Sequence, residues 1–131
     1  MNRTIVFPAT LLLFIFSHLA IAQQVTEPEM TAHRLNDMEV RNQSDGRSQR
    51  RVDAATVSLI RVEWPEGTVT TPHNHANELV MMLVEGRLRA ISEGKEIILE
   101  AGDVVVFPAW AEHSYVALED SITIEAAGPG S

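Results

Sequence analysis

Short apolar runs separated by turn-forming residues constrain the fold of this chain more than any other feature. They occupy residues 57–64, 79–84, 87–92, 96–99, 104–107, 114–118 and 122–125. In the first run, one phase carries Ile60, Val62 and Trp64 and the other carries Arg61 and Glu63, which is the period-two pattern of a half-buried strand. Gly, Pro or acidic residues stand between the runs, and no long helical period intervenes. This spacing predicts an all-β sandwich or barrel.

Length and composition fit one small globular domain and exclude several functions. A chain of 131 residues is long enough for a single domain. Hydrophobic residues make up 45% and charged residues 21%, so the chain is not disordered. A formal net charge of −8 argues against binding to nucleic acid, which relies on clustered Lys and Arg. The absence of Cys excludes disulfides, iron–sulfur ligation and a thiol nucleophile.

Residues 1–22 have the order of a secretory signal peptide. Arg3 supplies a positive start, residues 5–16 are almost wholly apolar, and Ala20-Ile21-Ala22 matches a cleavage site before Gln23. The alternative is a membrane anchor, although the apolar run falls short of the roughly 20 residues that span a bilayer comfortably. We therefore expect a periplasmic or secreted protein with no stable membrane anchor after cleavage.

Changes in composition along the sequence divide the chain into four predicted parts. The predicted parts are a signal peptide at 1–22, an N-terminal arm and loop at 23–53, a barrel at 54–127 and a C-terminal tail at 128–131. The arm is polar and carries Arg47, Arg50 and Arg51 next to the turn Ser44-Asp45-Gly46. These arginines are interpreted as a solvated loop, and the alternative is a lid or a clamp for a substrate carboxylate.

Three histidines form the main candidate site. His73 and His75 stand as His-x-His directly after Pro72, and residues i and i+2 of a strand point to the same face. His113 begins a later apolar run, and a strand there could bring its imidazole beside the pair. Imidazole is a ligand for Fe, Zn, Ni, Cu and Mn, so this pattern indicates a transition-metal site.

The glycines and prolines around these histidines extend the pattern into two blocks. The first block contains Gly67, His73, His75 and Gly86, and the second contains Gly102, Pro108 and His113. The two blocks resemble the paired motifs of the cupin superfamily, over about residues 57–126. The resemblance implies a double-stranded β-helix, that is, a jelly-roll barrel. It also implies that His73, His75 and His113 are metal ligands and that the substrate is a small molecule.

Glu78 leaves two arrangements of the metal ligands open. It follows His75 one residue sooner than the carboxylate of the family motif, and Leu79 occupies the position expected from Gly86. Along a regular strand, Glu78 would also point away from the face of the histidines. A β-bulge could make it the fourth ligand, and otherwise three imidazoles bind alone, as in some cupin dioxygenases.

Other residues are predicted to contribute to the pocket. Met81 and Leu83 would line the barrel near the metal, and Trp110 stands beside its apolar mouth. Tyr115 is in phase with His113 and could hydrogen-bond the substrate. Tyr115 and Glu78 are therefore the candidates for catalytic proton transfer.

The resemblance implies three functions, of which a metal-dependent dioxygenase on a small organic molecule is favoured. Iron is the favoured metal, with Mn, Ni and Zn as alternatives. A metal-dependent isomerase or lyase for sugars or sugar acids is the second hypothesis. A non-catalytic module that binds a metal or a small molecule is the third, because Leu79, Trp110 and Ala117 depart from the family motifs. A homodimer paired through sheet edges is expected, since an unpaired edge is a liability.

Overall fold

The computed structural model describes residues 29–129, and the predicted signal peptide at 1–22 lies outside them. Within the described range, no helix is both long enough and apolar enough to cross a membrane. A short 3-10 helix at Leu35–Asp37 precedes the strands. The strands are β1 Arg41–Asn42, β2 Ser48–Asp53, β3 Ser58–Trp64, β4 Leu79–Glu85, β5 Arg87–Ser92, β6 Lys95–Glu100, β7 Val104–Phe107, β8 His113–Ala117 and β9 Ser121–Ala127.

The strands form two antiparallel sheets. One has the order β1-β2-β3-β9-β4-β7, and the other has the order β6-β5-β8. Non-sequential neighbours such as β3 and β9 are typical of a jelly roll, so the predicted all-β barrel is confirmed. Every apolar run identified in the sequence overlaps one of these strands. Local alternation and turn residues were sufficient to place them.

The core lies between the two sheets and follows the period of the strands. Ile60, Val62 and Trp64 are buried on β3, and Leu79, Met81 and Leu83 are buried on β4. Leu88, Ala90, Leu99, Phe107, Tyr115, Ala117 and Ala127 complete the buried apolar cluster. Alternate residues of β3, β4 and β8 therefore face inward, as in other two-sheet packings.

The predicted boundary between arm and barrel at residue 54 does not match the sheet. β2 pairs with β3 along its whole length, from Ser48 opposite Glu63 to Asp53 opposite Ser58, so part of the arm belongs to the barrel. The sequence of β2 has no apolar alternation and gives no local strand signal. Its stability comes from the backbone ladder with β3, which sequence periodicity does not detect.

The arginines of the arm are not a solvated loop. Arg50 forms an ion pair with Glu63 at 3.2 Å, and Arg51 forms one with Asp53 at 2.6 Å. Arg47 pairs with Asp45, with 2.8 Å between Nη2 and Oδ2, and its guanidinium carbon lies 4.7 Å from the centroid of the Trp64 ring. Arg47 is thereby fixed over the inner surface of the barrel.

Candidate metal centre

A backbone pairing places two of the candidate histidines opposite each other. The segment before β4 runs antiparallel to β8, and His73 and His113 exchange both backbone hydrogen bonds at 3.0 and 2.8 Å. The backbone N–H of Trp110 donates to the carbonyl of His75 at 2.8 Å, which fixes the loop next to the pair. His75 lies two residues after His73, so its ring is on the same side.

The three imidazoles form one cluster. Their ring centroids are 5.1 Å apart for His73 and His75, 4.5 Å for His73 and His113, and 5.2 Å for His75 and His113. One nitrogen from each ring can be chosen so that all three lie within 4.8 Å of one another. This separation allows the three nitrogens to bind a single ion.

Hydrogen bonds to the backbone orient two of the rings. Nδ1 of His73 lies 2.8 Å from the Thr71 carbonyl, and Nδ1 of His113 lies 2.9 Å from the Ala111 carbonyl. A carbonyl only accepts, so Nδ1 carries the proton and Nε2 keeps its lone pair. This is the usual arrangement of a metal-binding histidine, whose second nitrogen is held by a backbone or carboxylate oxygen.

The environment disfavours a positive charge on His75 and His113. Burial lowers the pKa of His75 and His113, and for His113 the hydrogen bond to Ala111 opposes this shift. The charge that His73 would carry lowers the pKa of both further. Nε2 of His113 is buried and has no hydrogen-bond partner among residues 29–129. Neutral imidazoles with a free lone pair fit a divalent transition metal.

A cavity of about 210 Å³ opens beside the cluster inside the barrel. Its lining comprises Arg47, Gln49, Ile60, His73, His75, Leu79, Tyr115, Glu125 and Ala127. The predicted Tyr115 therefore faces the same space as two of the histidines. It is only 2% exposed, and burial raises its pKa above the ordinary value for a tyrosine.

Glu125 is a carboxylic acid held inside this cavity. It lies on β9, and the Thr123 hydroxyl donates a hydrogen bond of 3.0 Å to its Oε1. The Trp64 indole N–H in turn donates to Thr123 Oγ1 at 2.9 Å. Burial raises the pKa of Glu125 to about 7, although Thr123 and Arg47 oppose the shift. Glu125 can therefore exist in either protonation state near neutral pH.

Glu78 lies apart from the histidine cluster. It is exposed in the segment before β4, and the group of metal-ligating side chains found among the described residues contains only the three histidines. Leu79 is 4% exposed and begins a regular inward alternation with Met81 and Leu83, so Glu78 has the outward phase. The geometry matches the arrangement with three imidazoles, and no β-bulge turns Glu78 toward them.

The predicted pocket residues need correction. Met81 and Leu83 are completely buried in the core and do not line the cavity of the histidines. Trp110 is 67% exposed, with φ at +66°, and is also absent from the lining. Met81 and Leu83 do have the inward strand phase that was predicted, but they pack in the apolar core and not on the cavity lining.

Sequence reasoning missed Glu125 and Gln49, and it named Arg47 only as one of the arginines of the arm, with a lid or a carboxylate clamp as the alternative to a solvated loop. Glu125 shares its phase on β9 with Thr123 and Ala127, which are both buried, so an inward acid on a strand was the available signal. Arg47 and Gln49 had no comparable signal, because their position depends on the pairing of β2 with β3.

Solved structures of several barrels resemble this chain. KdgF from Halomonas sp. is 25% identical with a TM-score of 0.72, covering 79% of this chain and 96% of that chain. An RmlC-like cupin from Shewanella frigidimarina NCIMB 400 is 19% identical with a TM-score of 0.72, covering 78% and 93%. Salicylate 1,2-dioxygenase from Pseudoaminobacter salicylatoxidans, in a variant complexed with gentisate, is 21% identical with a TM-score of 0.63, covering 66% and 26%. No curated protein matches the chain.

A jelly-roll barrel with a cluster of three histidines beside an internal cavity defines a class of small β-barrels able to hold a metal. The family model described as cupin domain matches residues 60–125. The chain belongs to the cupin family.

Proposed function

We propose that this chain is an exported, metal-dependent oxidoreductase of the dioxygenase type that acts on a small organic molecule. The observation that carries the proposal is the cluster of His73, His75 and His113, in which two rings are oriented by backbone carbonyls. Three protein ligands leave positions for water and substrate, which a catalytic metal site requires.

His73, His75 and His113 would hold a divalent transition metal, and we favour iron over manganese, nickel or zinc. When bound, iron supplies Lewis-acid activation of a chelated substrate and one-electron chemistry with oxygen. A dioxygenase transfers both atoms of oxygen to its substrate, and the substrate supplies the electrons. The reaction therefore needs no separate reductant.

The residues of the cavity would bind the substrate and move its protons. Tyr115 can donate a hydrogen bond to a substrate oxygen, and Glu125 can take up or release a proton near neutral pH. Ile60 and Leu79 supply an apolar wall that excludes water from part of the space. Glu125 takes the proton-transfer role that the sequence suggested for Glu78.

Metal content and oxygen uptake test the proposal together. We expect about one metal ion per chain by mass spectrometry, and oxygen uptake by the iron-loaded protein with at least one member of a panel of small hydroxy acids. His113→Ala should lose both, whereas His33→Ala, at an exposed histidine outside the cluster, should keep both. Unchanged uptake in His113→Ala would overturn the proposal. Binding of metal and ligand without turnover over a broad substrate panel would favour a non-catalytic module.

The buried acid supports a second candidate, a metal-dependent isomerase or lyase. Such a reaction needs a base near a carbon acid, and the pKa of Glu125 at about 7 suits that task. Sugar acids would be the substrates to assay. Turnover that continues at the same rate without oxygen would establish this candidate and exclude the dioxygenase.

Export and assembly complete the proposal. Removal of residues 1–22 would give a mature chain that begins at Gln23, which intact mass measurement of a periplasmic fraction would detect. We also propose that the chain forms a homodimer through edge strand β7. Val104 and Val106 on this strand are 56% and 50% exposed, and exposed apolar side chains on an edge strand favour pairing with a second copy.

A further inference from the structure

Tyr115 and Glu125 line the cavity deeper in the barrel than the histidines, with the Tyr115 ring centroid 5.6 Å from that of His113, and we call these two residues the far end. Tyr115 follows His113 by two residues on β8, and Glu125 precedes Ala127 by two residues on β9. Each therefore lies one inward position deeper. The Trp64 ring supports both residues. Its centroid is 5.2 Å from that of Tyr115, and its N–H donates to the Thr123 hydroxyl, which in turn donates to Glu125.

The far end has an unused hydrogen-bonding group. Tyr115 is 2% exposed, and its hydroxyl is buried with no partner among residues 29–129, yet the side chain lines the cavity. A buried hydroxyl without a partner is costly, and an oxygen of a ligand in the cavity would remove that cost. Glu125 lines the same space and can also hydrogen-bond such an oxygen.

The charges of the cavity assign different ligand groups to its two ends. A divalent ion held by three neutral imidazoles would give the histidine end a net positive charge, which favours a carboxylate. At the far end, the charge of Arg47 is balanced by Asp45, with Nε at 3.0 and 2.9 Å from its two carboxylate oxygens. No other Arg or Lys within residues 29–129 lines the cavity. A second carboxylate would lie beside Glu125, and the one cation of the lining, Arg47, is already engaged by Asp45 and faces Glu125, so a neutral hydroxyl fits better.

The volume limits the size of the ligand. Benzene fills an engineered apolar cavity of about 150 Å³ in another protein, which corresponds to about 25 Å³ for each non-hydrogen atom. At that ratio, the 210 Å³ of this cavity would hold a ligand of about eight non-hydrogen atoms. A ligand that fills this space is therefore a small organic acid, smaller than a disaccharide.

We propose that the cavity binds a compact hydroxy monocarboxylate, with its carboxylate at the histidines and a distal hydroxyl held by Tyr115 and Glu125. The inference rests on the proposed metal centre, and it adds a substrate class and two specificity residues. It requires no particular reaction at the metal, so binding alone can test it.

A matched series of four-carbon acids isolates the distal group. α,γ-Dihydroxybutyrate carries the distal hydroxyl, α-hydroxybutyrate carries a methyl group in its place, and malate carries a second carboxylate. Calorimetric titrations would use the full mature chain loaded with Zn²⁺, which has no redox chemistry. We expect α,γ-dihydroxybutyrate to bind about tenfold more tightly than α-hydroxybutyrate, and malate to bind more weakly than the diol.

Variants of Tyr115 and Glu125 test whether these residues cause the preference for the ligand with the distal hydroxyl. Tyr115→Phe and Glu125→Val should remove the tenfold difference, whereas Glu125→Gln, which still donates and accepts, should keep most of it. Zinc content and thermal unfolding of each variant show whether a loss reflects the site rather than the fold.

The possible failures are distinguishable. If the protein does not take up Zn²⁺, the proposed metal centre fails and this inference fails with it. If Zn²⁺ binds but the acids bind equally, or none of them binds, only the ligand class is overturned. Tighter binding of malate would likewise show that the far end prefers an anion.

Discussion

At the scale of single residues, the protonation state of Glu125 in the cavity affects the free energy of unfolding of the barrel. Burial raises the pKa of its carboxyl from an ordinary value of 4.5 to about 7. Protonated Glu125 therefore stabilises the folded state. This contribution is fully present below pH 4.5 and is lost as the pH rises through 7. At 1.36 kcal/mol for each unit of pKa, its upper limit is about 3 kcal/mol.

Glu125→Gln should therefore stabilise the metal-free protein in a pH-dependent way. Gln cannot ionise, so the free energy of unfolding of the variant should exceed that of the natural chain increasingly between pH 4.5 and 7, and by a constant amount of at most about 3 kcal/mol above pH 7. Urea unfolding at several pH values below and above 7 measures the difference. Glu96→Gln, at an exposed position of β6, controls for the loss of a surface charge. Parallel stability profiles for Glu125→Gln and the natural chain would contradict this prediction.

At the scale of elements, Gly86 makes the change of sheet possible. It is the single residue between β4 in the large sheet and β5 in the small sheet, with φ at +83°. A Cβ there would overlap the Asp120 carbonyl oxygen and lie 2.7 Å from the Cα of Ser121. Both the backbone conformation and the close approach therefore require glycine.

Gly86→Ala should destabilise the barrel by about 3 kcal/mol, since a left-handed conformation costs roughly 1–2 kcal/mol and overpacking adds a similar amount. Gly94→Ala is the matched control, because Gly94 has φ at +74° but no atom within 4 Å of the point that a Cβ would occupy. The control should lose only about 1 kcal/mol. Denaturant midpoints of the two variants give the comparison, and equal losses would mean that the contact at Asp120 relaxes freely.

The elements also show what a sequence can predict. The strands from β3 to β9 and the grouping of His73, His75 and His113 followed from local alternation and from family motifs. β2 could not be predicted in this way, because its polar residues gain their order from the ladder with β3. Glu125 belongs to no motif, and only closure of the barrel brings it to the cavity shared with His73 and His75.

At the scale of the whole molecule, one outer face of the barrel is apolar. Val80 on β4 pairs with Val106 on β7, and Met82 pairs with Val104. All four side chains are between 37% and 56% exposed. Since these pairs are neighbours on one outer face that ends at edge strand β7, they form a continuous apolar surface. Such a surface favours association with a second copy of the chain.

Val106→Lys should convert the proposed homodimer to a monomer. A buried Lys in each subunit would lose hydration, and two-fold symmetry places the change in the interface twice. Sedimentation equilibrium of the mature chain and the variant measures the masses directly.

Ile97→Lys is the matched control, because Ile97 is 52% exposed on β6, an edge strand of the other sheet. Dissociation by Ile97→Lys alone would move the interface to the three-stranded sheet, and a monomeric natural chain would overturn the dimer. Unchanged zinc binding in monomeric Val106→Lys would show that each barrel holds its metal without a partner.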